Sequence, residues 1–142
     1  MAPQPGKPKE GKPKPGKPWY AVLGKQSDPG PLADQECVPC KGGTPPLTEE
    51  EYLPLLGQLT GWEVRYQRRL WKSYKFKNFV EAVDFVNRVT PLAEAAGHHP
   101  DLHVSWGSVG VELWTHKIDG LSSSDFIMAA KIDRLAATLP GS

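Results

Sequence analysis

The sequence predicts a single α+β domain: four antiparallel strands covered by helices on one face, in the order α-β-β-α-β-β-α. Three features carry this prediction. Side-chain caps mark the helix starts, alternating apolar residues mark the strands, and short polar links join consecutive strands. Such short links produce antiparallel neighbours in one sheet. With 142 residues and 39% hydrophobic content, the chain is long enough to bury one core.

The first and last helices each begin with a predicted capping box. Thr48 with Glu51 opens the first helix, and leucines at helical spacing lead to an expected end at Gly61. Ser122 with Asp125 opens the last helix, and further apolar residues form its inner face. In such a box the acidic side chain binds the backbone amide of the cap residue, so Asp125 is interpreted first as a cap.

A long central helix lies between these two. Asn78 is expected to cap it, and Gly97 is suited to the left-handed conformation that ends many helices. Pro91 lies inside the helix and predicts a kink. The spacing of the apolar residues predicts an inner face formed by Phe79, Ala82, Val83, Val86 and Ala93.

The four strands are predicted over residues 62–66, 70–76, 102–106 and 109–114. In the second pair apolar residues alternate with polar ones, so one face of that hairpin is expected to carry Leu102, Val104, Trp106, Val109, Val111 and Leu113. The opposite face of the sheet and one of its edges have no predicted cover, which predicts a homo-oligomer.

The loop of the second hairpin is expected to begin at Gly107, because glycine at the first position of a two-residue loop suits a type II′ turn. This loop fixes the register. His103 would face Glu112 as a surface or subunit-contact pair, and the same ladder extended would bring His99 opposite His116. Two imidazoles side by side, away from the apolar face, form a candidate site.

All four histidines of the chain lie in one stretch around this hairpin. Imidazole has an ordinary pKa of about 6.5, so it can donate or accept a proton near neutral pH. Three histidines converge on one end of the hairpin and are interpreted as catalytic: His98, His99 and His116. Glu94, just before them, would orient an imidazole or bind a polar substrate.

Neither a metal nor an organic cofactor is predicted. The adjacent His98 and His99 normally point apart, and the sequence has no HxH or HExxH spacing, no glycine-rich phosphate loop and no nucleophile elbow. Cys37 and Cys40 have the spacing of half a zinc site or a redox pair, but an ordered turn is preferred to a disulfide or a metal. Acid–base chemistry on a small polar substrate remains.

Charge is distributed unevenly along the chain. Residues 1–18 hold five Lys and one Glu, a charge of +4, so residues 19–142 carry −3 of the net +1. The acidic body argues against nucleic acid as the main ligand. No apolar run approaches the roughly 18 residues of a membrane helix, and no secretory signal is recognised. The expected location is the cytoplasm, or an organelle after processing.

The beginning of the chain is rich in Pro, Gly and Lys and cannot bury apolar surface. This composition predicts a disordered extension over residues 1–36, followed by a folded domain over residues 37–142. Within the extension, Trp19 and Tyr20 either cover a patch of the domain or anchor a protein partner.

Several of these motifs together resemble the pterin-4a-carbinolamine dehydratase family. The resemblance covers residues 45–137 and rests on Glu94, Gly97-His98-His99-Pro100, Thr115-His116, Gly120-Leu121 and Asp125. It implies a four-stranded antiparallel sheet with helices, in a homodimer or homotetramer. It also implies a pterin substrate and a reaction, the dehydration of 4a-hydroxytetrahydropterin to quinonoid dihydropterin, which serves recycling of the cofactor of aromatic amino acid hydroxylases.

The resemblance also implies residue roles. His98 and His116 would exchange protons with the substrate, while His99 would hold and polarise the pterin. Three further residues would bind or orient it: Glu94, Pro100 and Asp125. Some proteins of this kind act instead as Rubisco assembly factors or as dimerisation partners of a transcription factor. The carboxysomal ones tend to lose the histidine pair, which this chain keeps, so the enzyme is the preferred interpretation.

Overall fold

The computed structural model describes residues 31–37 and 44–139. In chain order the elements are α1 (Pro31–Asp34), α2 (Glu49–Leu56), β1 (Glu63–Arg65), β2 (Arg69–Lys75), α3 (Phe79–Ala96), β3 (Asp101–Ser105), β4 (Ser108–Leu113), a 3₁₀ turn (His116–Ile118) and α4 (Ser123–Ala137). The predicted α+β class and the order α-β-β-α-β-β-α are confirmed. The short helix α1 precedes them and packs against α4. Of the predicted extension, residues 1–30 lie outside the described residues.

The strands form one antiparallel sheet in the order β1-β2-β4-β3, so β2 and β4 are central and β3 is an outer strand. One face of the sheet meets the helices, and its buried side chains are Leu70, Lys72, Tyr74, Val109, Val111 and Leu113. The alternate residues, among them Trp71 and Glu112, lie on the other face. The predicted helix cover on one face of the sheet is therefore confirmed.

The loop between β3 and β4 differs from the prediction. Ser105 pairs with Ser108, so the loop residues are Trp106 and Gly107 and the predicted register shifts by two residues. The physical reason is that β4 also pairs with β2. That ladder continues to Ser108, and the amide of Phe76 donates to the carbonyl of Gly107 at 2.8 Å. Because the shift is two residues and not one, each side chain keeps its predicted face.

Two predicted cross-strand pairs are wrong for the same reason. His103 lies opposite Gly110 and not opposite Glu112. The ladder begins at the first residue of β3, which follows the adjacent histidines, so it does not extend to a pairing of His99 with His116. The segments that carry the site histidines are connected instead by side-chain hydrogen bonds outside the β3–β4 ladder.

The predicted capping box of α2 is present. The Glu51 carboxylate accepts the amide of Thr48 at 2.8 Å, and the Thr48 hydroxyl accepts the amide of Glu51 at 3.4 Å. The helix ends at Leu56 and not at Gly61, which takes a positive φ of 84° in the turn that follows. Pro54 lies inside α2 and has no amide to donate, which removes one hydrogen bond from this helix.

The long helix α3 has the predicted ends. Asn78 Oδ1 accepts the amide of Glu81 at 2.9 Å, and Gly97 takes a left-handed φ of 66°. The helix continues through Pro91 without a break. The left-handed glycine turns the chain out of the helix immediately before His98.

The inner face of α3 is only partly the predicted one. Its buried residues are Ala82, Phe85, Val89 and Ala93. Phe79 was expected among them, but it is the first residue of the helix and is 50% exposed. The contact with the sheet is centred instead on Phe85, whose ring lies 4.9 Å from Tyr74 and 5.2 Å from Phe76 between centroids.

Helix α4 is buried on nearly all sides because it contacts β4 and the three other helices. Most of its buried residues are apolar, and two are carboxylates: Asp125 and Asp133. The predicted capping box at Ser122 and Asp125 is present. Among the described residues, no helix has the length and hydropathy that crossing a membrane requires.

Asp133 is the centre of a buried polar network between α4 and the sheet. One of its oxygens accepts Lys72 Nζ at 2.7 Å and the Tyr74 hydroxyl at 2.5 Å. The other accepts Trp62 Nε1 at 2.9 Å. Burial and then the Asp133 carboxylate raise the pKa of Tyr74 far above its ordinary value, so the hydroxyl stays protonated and donates. Lys72 also donates to the carbonyl of Thr60 at 2.9 Å.

The face of the sheet opposite the helices carries an aromatic cluster. Trp71 lies over Gly110 so closely that an added Cβ on this glycine would be 2.2 Å from the ring. The guanidinium of Arg65 lies 4.4 Å from the Trp71 ring centroid, and the His103 ring lies at 5.7 Å. His103 is therefore a residue of the sheet surface.

Candidate functional site

The centre of the candidate site is the contact between His98 and Asp125. His98 follows the left-handed Gly97, and its Nε2 lies 2.5 Å from Asp125 Oδ1. Asp125 is fully buried. Its other oxygen accepts the Thr115 hydroxyl and the Ser122 amide, each at 2.9 Å. The predicted cap residue therefore has a second role, because it joins the start of α4 to a site histidine.

This arrangement determines what the His98 ring can do. An ionised carboxylate only accepts hydrogen bonds, so Nε2 carries the proton directed at Asp125 and Nδ1 remains for another partner. A carboxylate in this position fixes the tautomer and the orientation of an imidazole and stabilises its protonated form. The His98 side chain is 14% exposed, so a ligand can still reach it.

His99 and Glu94 form a second histidine–carboxylate pair. Glu94 lies in the last turn of α3, and its Oε2 is 2.6 Å from His99 Nε2. Both side chains are more than half exposed, at 58% and 69%. Solvent-exposed ion pairs contribute little stability, about 0–1 kcal/mol, so a polar ligand can displace or join this pair at small cost. This contact is compatible with both predicted roles of Glu94, orienting an imidazole or binding a polar substrate, and both stay predictions.

His116 is exposed at the start of the 3₁₀ turn. The preceding residue, Thr115, binds the same carboxylate as His98, so Asp125 connects the two segments that carry these histidines. The His116 ring meets the ring of Trp114 edge-on, with 4.0 Å between centroids. Within the described residues no hydrogen-bond partner of either ring nitrogen is found.

Three residues near His116 were not recognised in the sequence: Trp114, Arg69 and Asp119. Trp114 Nε1 donates to Asp101 Oδ2 at 3.0 Å, and the guanidinium of Arg69 lies 3.5 Å from the Trp114 ring centroid. Asp119 binds Arg68 at 2.8 Å and Arg69 at 3.7 Å. Continued by one residue beyond Leu113, the alternation of β4 places Trp114 on the same face as Glu112, and this was the available signal.

The remaining predicted residues lie around or outside this centre. Pro100 is half-buried and immediately precedes β3. In the described part of the chain, no group of three or more His, Cys, Asp or Glu residues is arranged to hold a metal ion. Cys37 is half-buried, burial raises the pKa of its thiol, and Sγ donates to the carbonyl of Ser124 at 3.7 Å. Cys40 lies outside the described residues.

Fold and site together define an α+β protein with a histidine–carboxylate centre suited to proton transfer. The profile of the pterin 4 alpha carbinolamine dehydratase family matches residues 45–135. A relative from Rubrobacter xylanophilus, named for this activity, is 58% identical over 104 residues, which are 73% of this chain and 97% of the relative. One from Methylococcus capsulatus is 50% identical over 107 residues, covering 75% of this chain and 94% of the relative.

A solved structure agrees with these matches. The crystal structure of a transcriptional coactivator/pterin dehydratase from Brucella melitensis is 35% identical in sequence. It matches with a TM-score of 0.60 over 64% of this chain and 98% of that chain. The chain belongs to the pterin 4 alpha carbinolamine dehydratase family, and homology places it among the lyases.

Proposed function

We propose that this chain dehydrates 4a-hydroxytetrahydropterin to quinonoid dihydropterin by histidine acid–base catalysis. The observation that carries the proposal is the placement of His98, whose Nε2 lies 2.5 Å from the buried carboxylate of Asp125. A buried carboxylate that orients a partly exposed imidazole is an arrangement suited to proton transfer. Membership of the family supports the choice of a pterin as substrate.

The reaction requires two proton transfers. One proton leaves the ring nitrogen N5, and another is delivered to the hydroxyl on C4a, which departs as water while C4a and N5 form a double bond. His98 and His116 are the proposed acid–base pair. One accepts the N5 proton, the other gives its proton to the leaving hydroxyl, and exchange with water restores both. The Asp125 carboxylate supports the protonated form of His98.

The exposed pair of His99 and Glu94 is proposed to bind the polar part of the pterin. Their side chains together offer a hydrogen-bond donor and an acceptor, and His99 directly follows His98 in the chain. Pro100 is proposed to hold the direction of the two adjacent histidines, because a proline has no amide to extend the β3 ladder.

A homo-oligomer is part of the proposal. The support is the outer strand β3, which is followed by Trp106, 70% exposed, and which carries Val104, 41% exposed. An uncovered outer strand with apolar side chains is a common surface for association of identical chains. Of the predicted extension over residues 1–36, the last part includes α1, whose Leu32 and Ala33 are buried. Residues 1–30 stay a predicted extension, with attachment of a protein partner as its proposed use.

The test is a coupled assay of 4a-hydroxytetrahydropterin dehydration. The full chain is expected to accelerate the reaction above its spontaneous rate, and His103→Ala is expected to keep that acceleration. His103 is a suitable control because it is a histidine on the sheet surface, in contact with Trp71 and outside the proposed site. A folded chain that neither accelerates the reaction nor binds a pterin analogue would contradict the proposal.

Asp125→Asn is expected to lower kcat on the order of 10²-fold while the chain stays folded. The amide oxygen can still accept the Ser122 amide, so the helix cap survives, but the charge that supports protonated His98 is lost. Glu51→Gln makes the same change in the capping box of α2, where the carboxylate accepts from Thr48, and should leave kcat unchanged. Equal kcat in both variants would mean that Asp125 serves only as a cap.

A further inference from the structure

We infer that Trp114 is a positioning residue for His116 and joins the two chain segments that carry the site histidines. The inference rests on the proposed dehydratase function. His116 differs from the other two site histidines, since His98 and His99 each bind a carboxylate through Nε2. In the described structure the recorded ring contact of His116 is with Trp114, edge-on at 4.0 Å between centroids. The direction of the His116 ring therefore depends on the indole.

The indole is itself held from two sides. Its Nε1 donates to Asp101 Oδ2 at 3.0 Å, and the guanidinium of Arg69 lies 3.5 Å from the ring centroid. Asp101 is the first residue of β3 and follows Pro100 directly. Through this hydrogen bond, Trp114 ties the segment that contains His98 and His99 to the segment that contains His116.

Arg69 connects the Trp114 indole to the turn that carries His116. Its guanidinium is 3.7 Å from Asp119, whose amide donates to the carbonyl of His116 at 3.3 Å. Asp119 takes a left-handed φ of 47° and ends the 3₁₀ turn that begins at His116. The turn, the arginine and the indole thus form one connected set around the imidazole, and removal of the indole removes the contacts that orient the ring.

The same sheet face offers a matched comparison. Trp71 also has an arginine over its ring, Arg65 at 4.4 Å, and a histidine beside it, His103 at 5.7 Å. Trp71 differs from Trp114 in that its neighbouring histidine, His103, is not a proposed catalytic residue. A purely structural role of the indole should appear equally at both positions, whereas positioning of His116 should appear only at Trp114.

The kinetic test compares Trp114→Ala, Trp114→Phe and Trp71→Ala in the full chain, each checked for folding. Trp114→Ala is expected to lower kcat by about 10–10²-fold with little change in KM, because misplacing a catalytic group affects the chemical step. Trp114→Phe keeps a ring edge against His116 and should give an intermediate kcat. Trp71→Ala should keep the kcat of the unmodified chain.

A second readout does not depend on activity. By NMR, loss of the indole in Trp114→Ala should move the ring-proton resonances of His116 and leave those of His103 in place, and Trp71→Ala should do the reverse. Unmoved His116 resonances would overturn the inference. So would an unchanged kcat in folded Trp114→Ala beside an inactive His116→Ala, an outcome that leaves the proposed function intact. An inactive unmodified chain would overturn both.

Discussion

Alanine in place of His98 or His116 is expected to lower the kcat for 4a-hydroxytetrahydropterin dehydration by about 10²–10⁴-fold, the usual contribution of a general acid or base. Each substitution removes one of the two groups that exchange protons with the substrate. The fold should persist in His98→Ala, because Asp125 keeps the hydrogen bonds from Thr115 and Ser122. The measurement is the coupled assay with the spontaneous rate subtracted.

His103→Ala is the control, because it removes an imidazole from β3 and not from the proposed site. The double variant of His98 and His116 should be scarcely slower than the worse single variant, because residues that act as a unit have non-additive effects. Unchanged kcat in both single variants, with the chains folded, would remove these two histidines from the mechanism.

Asp133→Ala is expected to lower the free energy of unfolding by about 3–5 kcal/mol, as is typical when one partner of a buried ion pair is removed. Lys72 would keep a charge in a place where its side chain is only 10% exposed. Tyr74 and Trp62 would each lose the acceptor of a buried hydrogen bond. Urea denaturation with linear extrapolation measures the change.

Asp84→Ala provides the matched control for Asp133→Ala. Asp84 forms an ion pair with Arg88 at 3.0 Å, but both side chains are about half exposed. Such a pair on a helix surface contributes about 0.3–0.5 kcal/mol, so the control should be close to the unmodified chain. If Asp133→Ala is as mild as this control, the buried network does not stabilise the fold in the way proposed here.

Helix boundaries were predictable where the chemistry of the boundary is local. The capping boxes at Thr48 and Ser122 and the cap at Asn78 each depend on residues within one turn, and each is present. Gly97 is left-handed as expected, because the requirement lies in the residue itself. The end of α2 was not predictable in this way, since Gly61 takes its positive φ in a turn beyond the helix.

The register of the last hairpin shows why non-local pairing escapes such reasoning. The local rule placed Gly107 first in the loop, but β4 lies between two strands and its pairing with β2 extends to Ser108. Each side chain still lies on its predicted face, because the predicted register differs from the observed one by two residues. The buried Lys72–Asp133 pair joins residues far apart in the chain, and the charge of Lys72 alone would have assigned its side chain to an exposed position.

The candidate site was predictable to the extent that its residues are close in sequence. Glu94, His98 and His99 lie within one turn and loop, and the structure brings the side chains of Glu94 and His99 into contact. The contact of His98 with Asp125 spans 27 positions and could not be read from spacing. Trp114 has no group that exchanges protons near neutral pH, so the pattern of acid–base residues does not indicate it.

Because Asp125 has two roles, local opening at the start of α4 affects the candidate site as well. The carboxylate that holds His98 also closes the first turn of α4 through the Ser122 amide. A fluctuation that moves the Asp125 side chain away from its place would release the Ser122 amide and the imidazole together. That opening of the helix start and the loss of the His98–Asp125 contact would be one event, and a ligand that binds His98 only in this arrangement would slow both.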